Sequence, residues 1–158
     1  MNAMAHRARG FTLVEAMIVV VILAIVAAMA MPSLDAALTN QRLRNAATDL
    51  VSALLLARSE AIKRGVEVQV APLTPGDWTS GWRVVTTVDN EQVERTESLG
   101  HWVDVQYAPD VIAYQRSGRL LGAGVSRIEF RASKGTVSAR CIWIDPSGLP
   151  RLTVTSCT

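Results

Sequence analysis

The sequence predicts an α+β fold: a long N-terminal helix, with a transmembrane half and an amphipathic half, packed on an antiparallel β-sheet domain. Three observations predict it. Residues 11–34 form an apolar segment broken only by Thr12, Glu15, Pro32 and Ser33. Apolar side chains then recur at three- and four-residue steps as far as Arg64. From Val66 onward the period falls to two, with turn residues between short runs. The chain therefore divides into a short basic N-terminal segment (1–10), a spanning half-helix (11–34), an amphipathic half-helix (35–64) and a sheet domain (65–158).

Residues 16–31, AMIVVVILAIVAAMAM, contain no charge, no polar side chain, no Gly and no Pro. With its flanks the segment is long enough to cross a hydrocarbon layer of roughly 30 Å as a helix. A core helix of a soluble domain would show a polar face over such a length. Arg7 and Arg9 precede it, so the positive-inside rule keeps the N-terminus cytoplasmic and exports the chain beyond the span. A secretory signal peptide has the same order of regions, and AMAMPSL has small residues compatible with cleavage. The length of the run and the acid at Glu15 speak against that alternative. Glu15 is the anomaly of the segment, because a carboxylate at the centre of a lipid-embedded helix costs about 2.5–3.5 kcal/mol.

After Pro32, expected to kink or loosen the helix, Leu43, Ala46, Ala47, Leu50, Leu54, Ala57 and Ala61 form one apolar stripe. Arg42, Asp49, Arg58 and Lys63 fall between them, and Gly65 is placed to cap the C-terminus. Strands are expected at 66–71, 82–88, 102–107, 111–114, 127–130, 136–144 and 151–155. TPGD, VDN, SGR, GAG, SKG and DPSGLP supply the turns between them. The four tryptophans are expected in or around the interface between helix and sheet. The polar run DNEQVERTE reads as a solvated loop.

Cys141 and Cys157 are the only cysteines. In an exported domain such a pair most simply forms one disulfide, worth roughly 3 kcal/mol by loop closure. One histidine beyond the N-terminal segment, His101, does not complete a zinc site with them, and the spacing is not that of a redox pair. If SGLP is the tip of a terminal hairpin, Cys141 faces Val154, so the tail must bulge or curl back to bring Cys157 into reach. That would pin the tail and stiffen the DPSGLPR loop.

No nucleophile elbow, phosphate loop, HExxH or paired-carboxylate motif is present, so no catalytic residue, cofactor or metal is expected. Charge is informative in its placement. Residues 65–110 carry eight acidic and two basic side chains, and residues 111–158 carry two acidic and seven basic. Blocks of opposite sign suggest a polar partner surface.

RGFTLVEAM, continued by a long apolar run ending at Pro32, resembles the start of a type IV pilin-like protein. The resemblance implies cleavage by a prepilin peptidase after Gly10, methylation of the new amine on Phe11, and a role for Glu15 in assembly. Physically, the cation within reach of Glu15 in a bundle of parallel subunits is the Phe11 amine of a neighbour. Pairing relieves two buried charges and favours one axial register; a solvated headgroup-level position is the alternative for the lone subunit. LARSEAIKRGVEVQV, DWTSGWRV and IDPSGLPR are similar to the FimT/GspH group of minor pilins and pseudopilins. This implies a single-pass inner-membrane protein with its C-terminal domain in the periplasm, or outside the cell within a pilus. Its partners would be other pilins and minor pilins. Some FimT-type proteins bear a Gly-Arg-x-Arg loop before the last strand. Here the loop is GLPR, matching at Gly148 and Arg151 but with Leu149 in place of the first arginine. Double-stranded DNA taken up in natural transformation is therefore a candidate partner of a type IV pilus subunit. Arg151, Gly148, Arg119, Arg116, Lys134 and Arg140 are its candidate contacts. The alternative is a minor pseudopilin of type II secretion with no DNA role, whose acidic and basic surfaces meet neighbouring subunits.

Overall fold

The computed structural model describes residues 11–122, 124, 126–134 and 137–157, without the side chains of Ala30 and Pro32. The expected processing glycine, Gly10, and the kink expected of Pro32 lie outside the described residues and side chains. The chain divides after Asp35 into two compact units.

Helix α1 is Leu13–Arg64. Its first part, up to Asp35, turns its apolar side chains outward: Leu13 is 76% and Met29 77% exposed. No single helix among the described residues is long and apolar enough to cross a membrane. Leu13–Met29 taken together with the helix resuming at Ser33 meets that condition by length and composition.

The second unit, Ala36–Thr158, begins with the amphipathic half of α1. The stripe read from the sequence is buried there: Leu43, Ala47, Leu50, Leu54, Ala57 and Ala61 are all fully enclosed. Gly65 ends the helix with φ +67°, its N–H donating to the Ala61 carbonyl at 3.0 Å. This is the left-handed C-terminal cap that glycine provides without strain.

The rest of this unit is eight strands: β1 (Val68–Thr74), β2 (Asp77–Thr86), β3 (Gln92–Thr96), β4 (Val103–Gln106), β5 (Ile112–Tyr114), β6 (Ser126–Ala132), β7 (Arg140–Ile144) and β8 (Pro150–Thr153). They make two antiparallel sheets, ordered β3-β2-β1-β5 and β4-β6-β7-β8. One core joins the helix stripe to Val68 and Val70 of β1, Trp78 and Trp82 of β2, and Ile128, Phe130, Ile142 and Ile144 of β6 and β7. The fold is the α+β arrangement expected.

Two sequence readings are corrected. Part of DNEQVERTE is strand β3, an edge strand paired with β2 rather than a loop. Its side chains are exposed or half-buried, so no apolar alternation marks it. Trp143 does not join the helix–sheet interface with Trp78, Trp82 and the half-buried Trp102. On β7, Ile142 and Ile144 face the core. Strand alternation puts Cys141 and Trp143 on the opposite, outer face.

Candidate functional site

At the head of α1, the Thr12 hydroxyl accepts the Glu15 N–H at 3.2 Å and the Thr12 carbonyl accepts the Ala16 N–H at 3.1 Å. Thr12 is therefore an N-cap with Glu15 three residues on, the spacing of a capping box. The acid also sits where the helix dipole favours negative charge. The sequence reading passes over this signal, although T-x-x-E before an apolar run is its usual form. Phe11 and Glu15 are both exposed.

The basic residues of the C-terminal third fall into separate places. Arg151 on β8 is paired with Trp143 on β7, and Trp143 with Arg127 on β6. These three form one row across the outer face of the second sheet. The Arg127 guanidinium lies 4.9 Å from the Tyr107 ring centroid and 5.7 Å from that of Trp143, within cation–π range. A shallow depression of about 450 Å³ lies beside Trp143, Asp145, Arg151 and Thr153. The Ser147 hydroxyl and N–H hold the Asp145 carboxyl below its ordinary pKa, and Arg151 adds to the effect.

Gly148 is buried and holds φ +84°. A Cβ there would lie 2.3 Å from the Gly118 carbonyl oxygen, so the hairpin loop (145–149) sits directly on the loop 115–119. Leu120 N–H donates to the Pro146 carbonyl at 3.3 Å, and Arg58 Nε to the Gly118 carbonyl at 2.9 Å. The structure thus joins the loop carrying the exposed Arg116 and Arg119 to the turn carrying Gly148, a proximity the sequence leaves open. Gly148 serves this packing.

Two candidates lie elsewhere. Arg140 points to the core side, 6% exposed, donating to Asn40 of the helix and to the Ser138 and Ala139 carbonyls. Its place as a DNA contact is corrected: it ties α1 to β7. Lys134 is exposed in the turn between β6 and β7, at the end of the sheet opposite the 145–149 turn.

Cys141 and Cys157 are bonded, their Cα atoms 5.2 Å apart. Across the hairpin Cys141 faces Thr153 rather than Val154. The tail curls back beyond β8, as the disulfide requires. It passes over β7 and reaches β6, where sequence reasoning assigns nothing. Glu129, fully buried, accepts the Cys157 N–H at 2.6 Å and the Ser156 hydroxyl at 2.8 Å through Oε2. Arg131 Nε donates to its Oε1 at 3.0 Å. Arg127 Nη1 donates to the Cys157 carbonyl at 2.9 Å. The available signal is the alternation of Arg127, Glu129 and Arg131 against Ile128 and Phe130, which puts three charges on one strand face. Among the described residues no group of three or more His, Cys, Asp or Glu side chains could hold a metal ion.

Comparison with known proteins agrees with this architecture. Residues 46–148 match the family model described as Type II transport protein GspH, and residues 5–31 match the prokaryotic N-terminal methylation motif. The type IV minor pilin FimU of Pseudomonas aeruginosa superposes with a TM-score of 0.60 at 18% identity, over 73% of this chain and 90% of that one. The minor pseudopilin EpsH of the Vibrio cholerae type 2 secretion system gives 0.54 at 14% identity, over 72% and 97%. At these identities the likeness is one of fold. No curated protein matches the chain in sequence.

Proposed function

The chain belongs to the GspH family of type II transport proteins and has the pilin-like fold of the minor pilins and pseudopilins; on that premise we propose that it is a minor pilin that joins or primes a type IV pilus. In this reading it is made as a prepilin and held in the inner membrane by residues 11–34, with its N-terminus cytoplasmic and its sheet domain periplasmic. A prepilin peptidase cuts after Gly10 and methylates the Phe11 amine. The observation that carries the reading is the methylation motif continuing into a helix with exposed apolar side chains. Such a surface is stable in lipid or among parallel helices of other pilins. Glu15, capped by Thr12 at the helix start, receives the Phe11 amine of the next subunit and sets the register. Replacing Glu15 with Val tests this: the variant remains in the membrane but is lost from sheared filaments.

Within that role, the outer face of the second sheet contacts DNA. Arg151 beside Trp143, with Arg116 and Arg119 on the loop that packs against the Gly148 turn, supports this reading, because arginines on a solvent face bind phosphates without sequence preference. Full-length protein in detergent should bind duplex DNA at low salt. Arg151→Ala should weaken binding several-fold and lower the salt slope by about one. Absence of binding at low salt would remove the DNA role and leave the filament role standing.

The second reading is a minor pseudopilin of type II secretion, favoured by the family description and by the likeness to EpsH. There the acidic β2–β3 side and the basic outer face meet neighbouring subunits. Recovery of the chain cross-linked to secretion pseudopilins, rather than to pilus subunits, distinguishes the two.

A further inference from the structure

The carboxylate of Glu129 is an odd thing to bury. It stands on the outer face of the second sheet, opposite Cys141 on β7 and Gln106 on β4, where solvent would ordinarily reach it. What covers it is the end of the chain. One oxygen takes the Cys157 N–H and the Ser156 hydroxyl, and the other takes Arg131. Both of these tail donors are aimed at a single oxygen. The next carbonyl along, that of Cys157, turns the other way and receives Arg127.

We propose that Glu129 is a latch that holds the C-terminal tail on β6 independently of the disulfide, and that the latched tail fixes Arg127 in the row with Trp143 and Arg151. The disulfide constrains two sulfur atoms and leaves the tail backbone free to rotate about them. The Glu129 contacts fix that backbone itself, so they supply orientation that the covalent bond does not. Arg127 then has three anchors: the Cys157 carbonyl, the Tyr107 ring and the Trp143 ring. Two are aromatic faces that tolerate sliding; the carbonyl contact is directional. Loss of the tail removes the anchor that decides where the guanidinium points. Burial pushes the Glu129 carboxyl up, but the Cys157 N–H, the Ser156 hydroxyl and Arg131 together outweigh it and hold the pKa below its ordinary value. That is the behaviour of an ionised acceptor with its donors in place.

The test removes the disulfide and asks whether the tail stays. Full-length protein in detergent micelles carries Cys141→Ser and Cys157→Ser, with and without Glu129→Gln. Amide exchange at residue 157, whose N–H is the tail's backbone donor to Glu129, is read together with the Trp143 indole N–H resonance. The latch predicts exchange at least tenfold slower in the chain that keeps Glu129, and an indole resonance close to that of the disulfide-bonded protein. Glu129→Gln then brings that amide to the rate of free peptide and shifts the indole signal. Equal tail exchange in the two chains overturns the proposal, whether both are fast or both are protected. A second variant leaves the sheet untouched: Cys157→Pro in place of Cys157→Ser deletes the donor N–H. It must shift the Trp143 indole in the same way, and an unchanged indole resonance contradicts the latch. Amide protection in β1 and β2 reports whether each chain is folded. None of these readouts involves DNA or a filament, so the outcome is independent of the proposed function.

Discussion

Two glutamates define what single residues do here, and each is explained by what donates to it. Glu15 is costly only while nothing compensates it. The Thr12 cap and the helix dipole act in the single chain, and in the proposed assembly the neighbour's amine would add to them. Thr12→Val should therefore fray the first turn and reduce filament incorporation less than Glu15→Val does, measured on the same sheared fractions. Glu129 carries a pH dependence whose sign is set by its contacts. Its folded-state pKa lies below the unfolded value of about 4.3, so its contribution is present above that pH and is lost as pH falls through the folded value. The groups facing it are Arg131 and Arg127 on its own strand, uncharged Gln106 and Cys141 on the flanking strands, and the tail donors. In the disulfide-free chain, protection of the residue-157 amide, taken relative to the free-peptide rate at each pH, should hold at neutral pH and be lost only as pH falls through the folded-state value, below the ordinary carboxylate range. Protection that is unchanged once the carboxyl is protonated would mean the carboxylate is not the acceptor that matters.

Among the elements, the β7–β8 hairpin concentrates the most information. Its turn packs through Gly148 onto Gly118, and its outer face presents Trp143 and Arg151. Gly148→Ala brings a Cβ to 2.3 Å from a backbone oxygen at a left-handed φ. It should destabilise by about 2–4 kcal/mol, read by thermal unfolding. Gly76→Ala is the control: its φ is also positive, but nothing lies within 4 Å, so the cost should stay near 1–2 kcal/mol. A similar loss at both sites would mean that the loop-on-loop contact contributes little. The same hairpin shows why the sequence is legible in some places and opaque in others. The helix stripe and Gly65 are readable because each is written in one local pattern. RCIWI on β7 is not, because it is covered on both faces, by the core on one side and the tail on the other. Apolar residues therefore occupy both sets of alternate positions, and the inward face cannot be told from the outward one. This is why the sequence misplaces Trp143. Strand β3 escapes for the opposite reason: it is an edge strand with no enclosed face. Glu129 and its tail donors lie 27 and 28 residues apart, so no local pattern records them. Arg140 looks like any other basic residue, and only its contact with Asn40, 100 residues away, removes it from the surface.

For the molecule as a whole, the division of labour matches the division of charge and hydropathy along the chain. The half-helix leaves its apolar side chains exposed, and the sheet domain carries acidic and basic regions. Each is explained by assembly. In the proposed function the helix enters a bundle of like helices, and the domain offers its charged surfaces to neighbours or a polyanion. DNA contact, if measured, should depend on Arg151 and be insensitive to Arg140→Gln beyond any loss of stability, because Arg140 is enclosed between helix and sheet. In the proposed function this chain is a filament subunit whose docking is read at Glu15. That reading is tested most directly by shearing filaments from cells expressing either the parent chain or the Glu15→Val variant, then quantifying the chain in filament and membrane fractions. The parent should appear in both fractions and the variant in the membrane alone, with its N-terminus processed to Phe11. Incorporation of the variant at the parent level would contradict it.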